Sequence, residues 1–220
     1  MIQQAILTPW SIFTPVVFRM MNRQYVQQFF ETGELMLSSF TRFSLHTDEE
    51  RKDQEGKNVL VGRGNASTVL AATQHGSDAY IMCSAACRPS IELMHAFGAD
   101  AAIQIFDTTS FGSVIAKHIP GVRQGFEGYC YYSDSSLEVK IHDFDIEHLK
   151  AHPEDQNLDL GKLNGLTLNM GGLSVFFRKK TRFQHQLEYR WVWTTSQTTI
   201  DTLVIHAPEA REFCLPYYSD

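Results

Sequence analysis

Cysteine is scarce, and the cysteines are not spaced like a metal site. Cys83, Cys87, Cys130 and Cys214 are the only four cysteines in 220 residues. Cys83 and Cys87 have no second pair of similar spacing and no nearby histidine pair. That argues against zinc and for reduced thiols in the cytoplasm. Positive charge is also in deficit. Nineteen Lys and Arg face 25 Asp and Glu, a net charge of -6. The molecule as a whole is therefore not an electrostatic binder of nucleic acid, and any such contact needs a local basic patch. No apolar run approaches the length of a membrane span. The opening Met1-Ile2-Gln3-Gln4 lacks the basic start of a signal peptide, and Pro9 and Pro15 interrupt the apolar segment that follows. The expectation is a soluble intracellular protein with no membrane partner. There is no internal repeat and no low-complexity tract.

Core-forming material is plentiful. Hydrophobic residues make up 43% of the chain, with 15 Phe, 8 Tyr and 3 Trp, ample for one domain spanning 1–220. Val16 to Met20 reads as a strand. Asn22 looks like an N-cap, and Tyr25, Val26, Phe29 and Phe30 give Arg23 to Thr32 a helical pattern ended by Gly33. Glu34 to Phe40 reads as a second strand. A charged, turn-rich stretch covers Thr47 to Asn58, and Gly62, Gly64 and Asn65 continue it. Further strands are expected at Ala79–Ser84, Ala101–Asp107, Phe126–Tyr132, Leu173–Phe177, Phe183–Trp193 and Thr199–Ile205. Short helices are expected at Ile91–Phe97 and near Phe111 to Ile119. Residues 142–164 are acidic and polar around Pro153 and read as a surface insertion. The sum is a mixed α/β or α+β domain with a largely β C-terminal half.

The segment Phe183 to Trp193 holds the most suggestive chemistry. On a strand, residues two apart share a face. Gln186 and Glu188 would then project together, with Leu187 and Tyr189 opposite. A carboxylate beside an amide suits a sugar diol, because the carboxylate accepts and the amide donates or accepts. The plain alternative is a half-buried strand whose polar face meets water.

In this order the pieces resemble the ADP-ribosyltransferase fold, especially its bacterial toxin and phage-defence members. The first is the opening Val17-Phe18-Arg19, followed by a helix and Gly33-Glu34-Leu35. The second is Ile81-Met82-Cys83-Ser84, a central strand ending in a hydroxyl. The third is Gln186-Leu187-Glu188. The middle piece runs Cys83-Ser84-Ala85 where the family's form is Ser-Thr-Ser. The resemblance implies an α+β fold with a split β-sheet core and short flanking helices. It implies NAD as a substrate and no metal. Glu188 and Gln186 would be catalytic: Glu188 stabilises the oxocarbenium-like ribose and holds its 2'-hydroxyl, and Gln186 positions the nucleophile or the ribose. Arg19 would pair with the pyrophosphate or the adenosine ribose. Ser84 and Phe97 would complete the cofactor site, with Phe97 or Tyr80 stacking on nicotinamide. The product would be ADP-ribose on a macromolecule, and the protein a toxin or antiviral effector kept silent by an antitoxin or chaperone.

Arg178, Lys179, Lys180 and Arg182 form the one dense basic cluster, just ahead of the Gln-x-Glu pair. They read either as a solvated turn or as an edge that holds the phosphates of a nucleic-acid acceptor. A protein acceptor stands equally open. Two other function classes remain: a non-catalytic module of the same fold that binds a partner or ligand, and a nuclease or other metal hydrolase built on the His, Asp and Glu residues of the acidic segment, His142, His148 and His152 among them. Glu188→Gln, which keeps size and removes charge, is expected to cost turnover with little change in stability.

Overall fold

The computed structural model describes residues 15–45, 57–63, 68–74, 76–134, 139–143, 146–152, 154, 157, 159, 162, 174–199 and 201–218. Most of the charged stretch at 47–58, and part of the acidic segment at 142–164, lies outside them. The architecture is mixed α+β: a largely antiparallel sheet with a few short helices.

The chain opens with β1 (Val17–Met21) and α1 (Arg23–Thr32). Val26 and Phe29 form the buried stripe of α1. The Asn22 side chain makes no cap bond; instead Asp100 Oδ1 accepts the Arg23 N–H at 2.6 Å. Gly33 ends the helix in the left-handed region, φ 78°, donating its N–H to Phe29 O. Then come β2 (Glu34–Ser39) and α2 (Phe40–Leu45). β3 (Lys57–Arg63) follows where turns were expected, and β4 (Thr68–Gln74) where no element was expected. β5 (Ala79–Ala85), α3 (Ile91–Ala96), β6 (Ala101–Ile105) and α4 (Thr108–Lys117) follow the expected order. Asp107 closes no strand; it caps α4 by accepting the Ser110 N–H. β7 (Val122–Tyr129), β8 (Tyr131–Tyr132) and β9 (Val139–Asp143) come next, and Ile146–Leu149 makes a 3-10 turn.

Three expectations fail near the C-terminus. Ser174–Phe177 is a helical turn, α5, not a strand; a short buried apolar run reads alike in either state. β10 (Arg178–Lys179) precedes a 3-10 segment, Thr181–Gln186, so the strand expected from Phe183 begins only at Glu188. Leu187, at φ 42°, turns the chain into β11 (Glu188–Thr195). β12 (Thr202–His206) and β13 (Cys214–Tyr218) end the described fold. β13 was not expected, yet its Pro216 suits an edge strand, and β13 pairs only with β6 among the described residues.

The main sheet forks at β5. β11 pairs with one edge of β5 along its whole length, from Glu188 opposite Ala85 to Thr194 opposite Ala79. The other edge is shared. β2 takes its beginning, with Ser38 opposite Ile81, and β1 takes its end, with Phe18 opposite Ala85. One arm continues from β1 to β6 and β13, the other from β2 to β12. Side chains alternate along β5 and β11. Met82, Tyr189, Trp191 and Trp193 join the larger core with Val26, Phe29, Phe111 and Ile115. Ile81 and Val192 join a smaller one on the other face with Phe40, Val175 and Phe176.

Gly33 ties the β2 arm to the segment after β12. A Cβ there would stand 2.4 Å from Pro208 N. Gly33→Ala therefore combines a clash with an unfavourable φ. It should cost more than about 1 kcal/mol in urea unfolding, whereas a conformationally indifferent turn would tolerate it.

Candidate functional site

The fork in the sheet encloses a cavity of about 640 Å³. Its walls come from β1, α1, β2, the end of β5, Phe97 and Gly98 after α3, and the segment from Lys179 to Arg190. Because it occupies the split itself, it draws on both faces of β5: Cys83 and Ala85 from one, Ser84 from the other.

The structure gathers Arg19, Ser84, Phe97, Gln186 and Glu188 on this one cavity. Tyr80, the alternative stacking ring, is packed against the larger core and does not line it. Arg19 has a visible reason for its place. Between the pairing partners of β2 and β1, the middle of β5 has no neighbouring strand on that edge. There the Cys83 carbonyl accepts from Arg19 Nη1 at 2.7 Å. A backbone acceptor left in a fork is costly unless satisfied, so Arg19 has a structural task besides any ligand. Ser84 is 5% exposed, and its Oγ has no hydrogen-bond partner among the described residues. A buried hydroxyl unpartnered on a cavity wall favours a ligand that can pair with it.

At one end the cavity closes on a buried ionic cluster. One Glu188 oxygen accepts from Lys179 Nζ and the other from Arg190 Nε. Arg190 Nη1 donates to Phe176 O at 2.7 Å, and Lys179 Nζ also donates to Gln186 Oε1 at 2.5 Å. The Tyr132 hydroxyl accepts the Glu188 N–H at 2.8 Å. Burial pushes the Glu188 carboxyl up, but Arg190 and Lys179 overrule it and pull it from 4.5 down to about 2. Burial, reinforced by the charge of Glu188, pushes the adjacent Cys83 thiol well up. With Arg19, three cations and one carboxylate line this part of the cavity, which favours a ligand carrying negative charge.

The basic cluster divides. Arg178 and Lys179 are buried, at 2% and 6% exposure, while Lys180 and Arg182 face solvent. Arg178 and Lys179 therefore do not form the expected acceptor-facing edge. Lys179 is drawn inward by the Glu188 carboxylate, and Arg178 lies beside it in the pairing of β10 with β8. Arg190 was missed, although Glu188-x-Arg190 has the spacing that puts both on one strand face. Lys179 as a partner of Glu188 had no such signal, because a tertiary contact joins them. Among the described residues no group of three His, Cys, Asp or Glu side chains is placed to hold a metal. Of the histidines in the acidic segment, His148 and His152 are exposed and belong to no such group, while the side chain of His142 lies outside the described residues.

No protein-family model matches the chain, nor does any curated protein or solved structure.

The burial of Glu188 corrects the expectation that Glu188→Gln leaves stability unchanged. It strands two buried cations, a loss on the scale of about 3–5 kcal/mol. The sign of the pH effect follows from the depressed carboxyl. Its stabilisation is full above its ordinary value of 4.5 and is lost as pH falls toward about 2. Urea unfolding across that window should show the wild type losing stability more steeply than Glu188→Gln. Equal slopes would mean that Glu188 is not ionised in the fold.

Proposed function

We propose that this protein has an ADP-ribosyltransferase-like split-sheet fold and cleaves NAD, passing ADP-ribose to a macromolecular acceptor. One observation carries the reading. Arg19, Ser84, Phe97, Gln186 and Glu188, far apart in sequence, line a single cavity in a forked sheet. In the reaction the bond between ribose C1' and the nicotinamide nitrogen breaks, and its electron pair leaves with nicotinamide. A nucleophile of the acceptor then bonds to C1' and gives up a proton. The ribose passes through an oxocarbenium-like state, which the fixed negative charge of Glu188 stabilises. An ionised carboxylate has about four acceptor sites, so the pairs with Lys179 and Arg190 leave capacity for a sugar hydroxyl. The cationic lining suits the pyrophosphate, the Ser84 hydroxyl suits a polar group of the ligand, and the half-buried ring of Phe97 suits a stacked base.

The acceptor is a protein or a nucleic acid. With Arg178 and Lys179 buried, only Lys180 and Arg182 of the basic cluster are on the surface to meet phosphates, which weakens the case for nucleic acid. The role would be that of a toxin or antiviral effector held by an antitoxin or chaperone. A second reading is favoured by one feature: both Glu188 oxygens already hold cations. It is a non-catalytic module that binds a dinucleotide or another anionic ligand in the same cavity.

Incubation with NAD and measurement of released nicotinamide separates the two. The transferase reading expects release by the wild type and a fall in turnover of about 10²-fold or more in the folded fraction of Glu188→Gln. Calorimetric binding of NAD without release supports the binding module, and absence of both binding and release overturns both readings. Arg19→Ala should weaken NAD binding more than Arg23→Ala, whose residue begins α1 and stacks on Tyr218. Equal effects would confine Arg19 to its bond with Cys83. Mass-spectrometric search for ADP-ribose on protein and nucleic acid identifies the acceptor.

A further inference from the structure

The pairing of Gln186 and Glu188 is not a product of strand geometry. Gln186 ends a 3-10 segment, Leu187 turns through the left-handed region, and only Glu188 belongs to β11. Two side chains separated by such a turn have no backbone reason to converge. What brings them together is one ammonium group, which donates to Gln186 Oε1 and to Glu188 Oε2 and lies 4.8 Å from the centre of the Phe183 ring. Its own position is braced from the other side. Lys179 stands opposite Tyr132 in the short parallel pairing of β10 with β8. Tyr132 in turn accepts the N–H of Glu188. Lys179 is thus fixed to the carboxylate through its side chain and, by way of Tyr132, through the backbone.

From this geometry we infer that Lys179 is a positioning residue, which holds the Gln186 amide and the Glu188 carboxylate together as one recognition unit at the closed end of the cavity. The assignment of that unit to NAD cleavage rests on the function proposed above; the clamp itself does not. The charged groups facing the Glu188 carboxyl are Lys179 and Arg190, with the Cys83 thiol beside it. Arg190 remains when Lys179 is removed, so the carboxylate keeps one cation and loses its link to Gln186. A displacement of the order of 1 Å at a reacting centre can cost about 10²-fold in rate.

The test uses Lys179→Met and Lys179→Arg in the full chain. Nicotinamide release should fall about 10²-fold in kcat for Lys179→Met and about tenfold for Lys179→Arg, with KM changed far less. Carbon NMR of carboxyl-labelled glutamate, with the Glu188 signal assigned through Glu188→Gln, gives a readout independent of turnover. Glu188 should titrate at higher pH in Lys179→Met than in the wild type, and the Gln186 side-chain amide signals should move. If the wild type releases no nicotinamide, the transferase reading fails and the NMR results alone decide the clamp. If Lys179→Met does not fold, Lys179→Arg decides: it should keep the Glu188 titration and shift the Gln186 amide signals. Unchanged Gln186 signals in a folded variant, or an unchanged Glu188 titration in Lys179→Met, would overturn the assignment.

Discussion

Glu188 is an ionised carboxylate with almost no access to water. Such a group is unstable in a protein interior unless cations and hydrogen bonds replace its hydration. Here Lys179 and Arg190 take one oxygen each. That requirement organises the surrounding chain. Arg190 must share its strand face, which the period of β11 provides. Lys179 must come from outside the strand, so β10 has to pass close to the start of β11. The short pairing of β10 with β8 holds it there, and the turn at Leu187 lets the chain reverse between them.

The fork at β5 supplies the space into which this cluster opens. A strand flanked by β11 on one edge and by two diverging strands on the other has unpaired backbone in its middle. A continuous sheet would bury those groups in ladder bonds. The divergence exposes them to a cavity, and Arg19 satisfies one. The same divergence makes both faces of β5 accessible at one point, so Cys83 and Ser84, which point oppositely, share a wall. The cavity is thus a consequence of sheet topology before it is a consequence of any particular side chain.

Stability and site chemistry are coupled in this arrangement. The charges that give the cavity its character are also the charges that keep one another folded. A substitution at Glu188 or Lys179 therefore acts on packing and on chemistry together. Separating the two requires a readout at a single atom, such as a carboxyl titration, besides overall activity.

Much of the fold is legible in the order of residues, because local rules suffice for it. The periodic apolar positions of Arg23 to Thr32, the glycine that stops that helix, and the apolar run of β5 are each decided within a few neighbouring residues. Glu188 and Gln186 stand out as polar groups in an aromatic strand-like segment for the same local reason. The 3-10 turn ahead of Glu188, the inward course of Arg178 and Lys179, and the strand at Cys214–Tyr218 were decided by tertiary structure. A basic tetrad reads as surface because charges favour water. Lys179 is buried because a buried carboxylate lies within its reach, and that proximity exists only once β10 and β11 have been brought side by side. The sequence by itself determined which residues could form a polar site. The forked sheet decided that Arg19, Ser84, Phe97, Gln186 and Glu188 share one, since the contacts that join them span most of the chain and follow from strand pairing rather than from spacing.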